Sequence, residues 1–218
     1  MNSWESVLPF IPAMLAGLRY TFLISVVSLL GAMIIGLGVV QLWRSESALL
    51  RAVGFAYVQV FRSLSPYVYI LLVFFAISGL TGWNMDAVTA AIISLTLLNS
   101  AYVAEIYRGA LLSVDKGQWE AAASIGMGSF KTNYVIIWPQ ALRVAMPSLL
   151  NQFIVILKDS SIVGIIGVKD ILYVANAQAA ITYKQFEYLT VVALIFITIV
   201  FVLSRLSLLL ERRLNRGQ

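Results

Sequence analysis

Five apolar runs, residues 17–40, 52–77, 87–110, 141–157 and 188–210, constrain this chain more than any other feature. Each is about as long as a helix needs to cross the hydrocarbon core of a bilayer, roughly 17 to 25 residues. Lipid offers no partner for backbone N–H and C=O groups, so runs of this kind close their hydrogen bonds internally as helices. The fold class predicted is all-α integral membrane, with about five transmembrane helices. With 61% hydrophobic and only 11% charged residues, the chain lies far from soluble domains, where about a quarter of residues are charged. Its 218 residues accommodate these spans and short loops, leaving no room for a separate soluble catalytic domain. No internal repeat is visible.

Within the spans, Gly31, Gly36 and Gly38 of the first suit close helix packing. The second is interrupted at Ser63, Leu64, Ser65 and Pro66, where proline removes a donor and disfavours helix at the residue before it. Asn99, Ser100, Tyr102 and Glu105 lie along the third. The fourth runs into a polar break at Lys158, Asp159, Ser160 and Ser161, and the fifth is the least polar, expected to meet the most lipid.

Charge sets direction. Arg44, Arg51, Arg108, Lys116, Lys131, Arg143, Arg205, Arg212, Arg213 and Arg216 crowd one set of loops and the tail, against Lys169, Lys184 and Arg19 on the other side. The positive-inside bias puts the N-terminus and loop 78–86 outside, and loop 111–140 and the C-terminus in the cytoplasm. The expected organisation is an extracytoplasmic segment 1–16, a transmembrane domain 17–210 and a basic cytoplasmic tail 211–218. Residues 1–12 lack a basic n-region and lead directly into the first span, so no cleaved signal peptide is expected. The net charge of +5 reads as orientation rather than nucleic-acid binding. No Cys and no His are present, which excludes disulfides, thiol chemistry, imidazole bases and the usual zinc sites.

Residues 120–139 read EAAASIGMGSFKTNYVIIWP and fall in the cytoplasmic loop. Residues 118–125 are strong helix formers, and Gly126 suits the left-handed turn that ends such a helix. Two turns of helix are marginal alone and need a groove to hold them. An interfacial helix lying on the inner leaflet is the competing reading. Against it, Ala121, Ala122 and Ala123 lack a bulky apolar face for lipid and favour close contact with protein.

This stretch resembles the EAA loop of ABC importer permeases. The wider run, AYVAEIYRGALLSVDKGQWEAAASIGM, then PQALRVAMPSLLNQFIVILKDSSIV, then IGVKDIL, is similar to the polar-amino-acid branch of the type I permeases. Trp138 stands where that family usually has Leu before Pro139, and FRSLSP at 61–66 stands where its members read FRGTP; the second departure lies near the expected substrate path. The resemblance implies a loop seated in a cleft of a separate ATPase, with Glu120 as anchor charge, Ala121 and Ala122 as contact face and Gly126 as tight turn. The chain contains no G-x-x-x-x-G-K-[ST], so no P-loop cradles nucleotide here, and ATP with Mg²⁺ belongs to the partner. No cofactor is expected on this chain.

Charges inside spans cost about 2.5 to 3.5 kcal/mol each on insertion scales, so each needs a partner or a wet cavity. Glu105 is expected in a structural ion pair, with Arg108 one turn away or Arg62 across helices, rather than on substrate. Tyr102 and Asn99 lie further outward on roughly the same face. Asp159 follows one apolar run and precedes another, so it is expected at depth. Two readings stand: a local pair with Lys158 or exposure at a kink, or a midplane site lined by Asp159, Ser160 and opened backbone, with Ser65 and Tyr69 opposite. Such a site suits a zwitterionic amino acid, its ammonium on Asp159 and its carboxylate at a helix N-terminus.

The reading adopted is the permease subunit of a bacterial amino-acid ABC importer, a multi-pass protein of the inner (plasma) membrane and not an enzyme. The family implies pairing with an identical or homologous permease, two ATPase subunits and an extracytoplasmic solute-binding protein. Alternatives are the same permease for an opine or other amino-acid derivative, a non-ABC channel or carrier, and an integral membrane enzyme. The channel or carrier leaves the EAA-like loop without a use, and the enzyme would rest on isolated carboxylates.

Overall fold

A computed structural model describes residues 4, 5, 7–82 and 84–215. Residues 1–3 and 6 of the expected N-terminal segment, Trp83 of the expected outer loop, and residues 216–218 of the tail, including Arg216, lie outside the described residues. The elements are a 3-10 turn Leu8–Phe10, α1 Ile11–Trp43, α2 Ala48–Ser63, α3 Pro66–Thr81, α4 Ala87–Leu112, α5 Lys116–Ser124, α6 Ser129–Thr132, a π-helical turn Asn133–Ile137, α7 Trp138–Asp159, a 3-10 helix Ser160–Ile166, α8 Ile171–Thr182 and α9 Gln185–Asn215. Four continuous stretches are long and apolar enough to cross a membrane, and α2 with α3 makes a fifth if the bent pair counts as one span.

Helix α4 is the hub, packed on α1, α7, α3 and α2. Its Ala90, Ala91, Ser94, Ser100, Ala101 and Ala104 are all buried, and such small side chains let neighbouring backbones approach. On the α1 side a Cβ at Gly36 would stand 2.9 Å from a Val103 methyl and 3.2 Å from the Ala104 nitrogen, so that crossing depends on glycine. Ser28 Oγ donates to the Ile92 carbonyl across the same interface at 3.3 Å. Gly38 departs from expectation: it meets nothing within 4 Å and faces open space.

The second apolar run is broken where expected, and the two helices on either side of the break meet at 105°. Leu64 leaves α2 in an extended conformation (φ −92°, ψ 140°), and Pro66 opens α3, where its missing N–H costs no helical bond. The helical stretch that carries the fourth apolar run begins at Ser129, well before 141, because polar and aromatic residues such as Lys131, Asn133 and Tyr134 are helical without being hydrophobic. At its far end the expected opened backbone is absent. After Asp159 the chain tightens into 3-10 helix, with the Ser160 N–H still bonded to the Ile156 carbonyl, until Gly167 turns it at φ +89°.

Helix α8 carries no span and escaped the apolar-run reading. Asp170 caps it, accepting from Tyr173 N at 2.8 Å and Leu172 N at 3.3 Å. Its Ile171, Ala175 and Ala179, four apart, pack with Met14 of α1 and Tyr188 of α9. Only 6% of the most apolar stretch of α9 is buried within the chain, so the rest of the chain covers little of that helix. The ends of α1 and α4, the loop carrying α5 and the start of α6 share one end of the bundle, joined by a 3.4 Å hydrogen bond from Arg44 Nη2 to Asn133 Oδ1.

Candidate functional site

Helix α5 stands at that basic end. Asp115 caps its start, accepting from Gly117 N at 2.6 Å. Its finish is a Schellman turn: Met127 N donates to the Ala122 carbonyl and Gly126 N to the Ala123 carbonyl, both at 3.0 Å, with Gly126 at φ +75°. Trp119 and Ala122, three apart, turn the same face inward, Trp119 onto a cluster that includes Ala110, Leu111, Ile137 and Ala141. Gln140 Nε2 reaches Gln118 Oε1 at 3.3 Å, fastening α5 to α7.

Ala122, at 1% exposure, is therefore unavailable as an outward contact, which corrects the Ala121 and Ala122 pairing suggested by the sequence. Glu120, Ala121 and Ala123 face out. So do Ile125 and Phe130, at 75% and 82% exposure. The helix is held to the bundle on one side and presents an acid and two alanines on the other, with Ile125 at its C-cap; Phe130 belongs to α6.

Glu105 is shared by two arginines. Arg62 Nη1 lies 3.1 Å from its Oε1 and Arg108 Nε 2.8 Å from its Oε2. Arg62 also stacks over Tyr102 and Arg108 over Trp43, at 5.4 and 5.1 Å from the ring centroids. This group ties α2 and α1 to α4 where the corner at Ser65 begins.

Of the substrate-path candidates, two are engaged inside the chain. Asn99 is buried, accepting from Gln152 Nε2 at 2.7 Å and donating to the Leu95 carbonyl, which locks α4 to α7. Ser160 is buried too; its hydroxyl bonds the Leu157 carbonyl and Ser25 of α1. Asp159 is half-buried beside exposed Lys158, and both ion pairs found among the described residues belong to Glu105. Ser65 is exposed at the corner, Tyr102 half-buried, and Tyr69 nearly buried edge-on to Phe61, with centroids 5.5 Å apart.

A cavity of about 340 Å³ opens between the start of α3, the 3-10 helix and α8, lined by Tyr67, Ser161, Tyr173 and Asn176 among others, with Asp159 not among its lining residues. Ser161 Oγ is buried without a hydrogen-bond partner among the described residues. Tyr67, Tyr173 and Asn176 were not singled out in the sequence. Only the corner at Pro66 and the return of α8 bring them together, and nothing in their spacing announces it.

Solved structures share this architecture. The chain superposes with a TM-score of 0.90 on a crystal structure of an amino acid ABC transporter with histidines, covering 96% of this chain and 98% of that one at 33% identity. An inward facing form of the MetNI methionine ABC transporter has the same fold, with a TM-score of 0.77 over 94% of this chain and 98% of that one at 19% identity. The class so defined is the transmembrane subunit of an ABC transporter. Residues 28–216 match the model for binding-protein-dependent transport system inner membrane components, and the chain belongs to that family. It is 34% identical over 215 residues to the probable amino-acid permease protein YxeN of Bacillus subtilis, covering 98% of this chain and 96% of YxeN. To the glutamine transport system permease protein GlnP of Escherichia coli K12 it is 33% identical, covering 97% of each. The arginine transport system permease protein ArtQ of B. subtilis is 32% identical, again with 97% of each covered. The chain is thus an ABC importer permease, an integral membrane transport subunit and not an enzyme.

Proposed function

We propose that this permease carries an amino acid across a bacterial inner membrane, paired with an identical or homologous permease, supplied by an extracytoplasmic binding protein and driven by two separate ATPase subunits that hold ATP and Mg²⁺. The names of the relatives favour an amino acid over an opine or other derivative. The observation that carries the coupling role is α5 itself: a capped helix anchored by Trp119 and Gln118, with Glu120, Ala121, Ala123 and Ile125 left outward for a protein groove. Gly126 fixes where that helix stops, so its exposed side is presented in one orientation.

For the path, the reading places the substrate ammonium on Asp159 and its carboxylate at the first turn of α3 beside Ser65 and Tyr67. Tyr69 and Tyr102 back this wall, while Asn99 and Ser160 brace the helices that carry it. Glu105 with Arg62 and Arg108 is structural, a pinned junction below the corner.

Orientation is tested with single cysteines at Asn84 and Gly128 in this Cys-free chain. In intact cells an impermeant thiol reagent should label the cysteine at 84 and spare the one at 128 until the membrane is opened. The reverse pattern puts α5 outside, beyond reach of any cytoplasmic ATPase, and ends the coupling reading.

A further inference from the structure

The open space at Gly38 leads to a second surface, which meets the coupling helix only at its inner side, at Lys116 and Trp119. Gly31 and Gly36 of α1 are closed over by Thr96 and Val103 of α4, yet nothing stands within 4 Å of a Cβ at Gly38. A glycine weakens a helix interior, and here no neighbouring helix uses the room it leaves. Beside it runs a groove of about 520 Å³ between α1 and α7, lined by Leu37, Gly38 and Gln41 on one wall and Tyr134, Trp138 and Leu142 on the other. Both walls belong to membrane-crossing stretches, and Tyr134 and Trp138 are the residue types that settle at a membrane–water interface.

Leu37 and Gln41 of α1 and its C-cap residue Arg44 follow one another at i, i+4 and i+7. Arg44 bonds Asn133, the residue before Tyr134, at 3.4 Å. Arg44 also lines a second pocket of about 230 Å³, whose other cations are Arg108 and Lys116 and whose floor is Leu111, Leu112 and Trp119. Part of the Arg108 charge is met by Glu105, and Asp115 turns its carboxylate onto Gly117 N, so Arg44 and Lys116 remain the outward cations. An apolar groove inside the span, with Arg44 bonded to the residue that precedes its Tyr134 wall and lining a cationic pocket at the basic end, fits one ligand in both parts, a phospholipid with an anionic headgroup.

We propose that the groove between α1 and α7 holds an acyl chain of an anionic phospholipid whose phosphate sits at Arg44 and Lys116. The test is native mass spectrometry of the purified importer, the permease with the subunits that accompany it, titrated with phosphatidylglycerol or with phosphatidylcholine of identical chains. Phosphatidylglycerol should be retained preferentially, and glycerol phosphate, which lacks the chains, should not bind at the same concentration. Arg44→Gln should weaken phosphatidylglycerol retention about fivefold, the share of one basic contact at a membrane surface, and Arg44→Lys should restore it. Gly38→Leu, placed in open space, should lower retention of both lipids by filling the groove. Equal retention of phosphatidylglycerol in wild type, Arg44→Gln and Gly38→Leu overturns the proposal. So does a photo-crosslinker at position 38 that captures a second permease or an ATPase subunit instead of lipid.

Discussion

Gly126→Val in an assembled importer will leave the chain inserted and will cut solute-stimulated ATP hydrolysis at least several-fold. Gly126 closes α5 at φ +75°, a conformation that costs a side-chain-bearing residue about 1 to 2 kcal/mol and a β-branched one at the upper end of that range. The valine escapes the strain by abandoning the Schellman turn, which frees the Ala122 and Ala123 carbonyls and frays the outward side of the helix. An energy of that size corresponds to roughly a 5- to 30-fold shift in the population holding the docked geometry. Glu120→Lys should give the same loss by a different route, because it reverses the exposed charge without disturbing the Trp119 anchor. The readouts are ATPase activity in proteoliposomes with and without loaded binding protein, alongside the amount of complex recovered. Coupled hydrolysis at wild-type levels in both variants removes α5 from the coupling path.

Asp159→Asn should sharply reduce transport with near-normal assembly and basal ATPase activity. Asparagine keeps the shape and hydrogen-bonding capacity while removing the charge offered to a substrate ammonium. A hydrogen bond to a charged group contributes about 1.5 to 3 kcal/mol, so uptake at limiting substrate should fall roughly 10- to 100-fold. The competing account pairs Asp159 with Lys158. Lys158 is exposed while Asp159 is half-buried, so the lysine can reach water without its neighbour. If the pair nevertheless holds, Asp159→Asn lowers thermal stability and Lys158→Met restores it. Rescue of that kind, with transport intact in the double variant, makes Asp159 structural and moves the search to Ser65, Tyr67 and the cavity at Ser161.

What the sequence disclosed follows from how strongly lipid constrains a chain. Runs of about 20 apolar residues leave few alternatives to a crossing helix, so α4 was legible almost to its ends, while α1 and α9 continue past their apolar runs, α1 from Ile11 and α9 to Asn215. The same logic left out the helical turns that precede the fourth apolar run, since hydropathy registers lipid contact and the turns around Lys131 and Asn133 are helical but polar. Pro66 announced a break in the second run but not its 105° angle, which depends on Leu64 being extended. Helix α8 was missed because it is short and held by α1 and α9 rather than by its own apolar length. There Gly17 carries the signal: a Cβ at that position would stand 2.7 Å from the Ile171 nitrogen, a contact between residues distant in sequence. At the sites, motif and composition pointed to α5 and Gly126, but the inward turn of Ala122 follows from the tertiary anchor at Trp119. Asn99 and Ser160 read as polar residues in search of water, and their partners Gln152 and Ser25 sit on helices whose register only the fold supplies.

This permease is expected to work through an ATPase on another chain, gripped at α5. Co-purification after mild solubilisation from the native membrane, with a photo-reactive residue placed at Ala121, which faces outward beside Glu120, tests this directly. An ABC ATPase should be recovered with the permease and should be the polypeptide cross-linked at 121. Transport-competent permease recovered without any ATPase, or a cross-link at 121 that reaches only lipid, contradicts it.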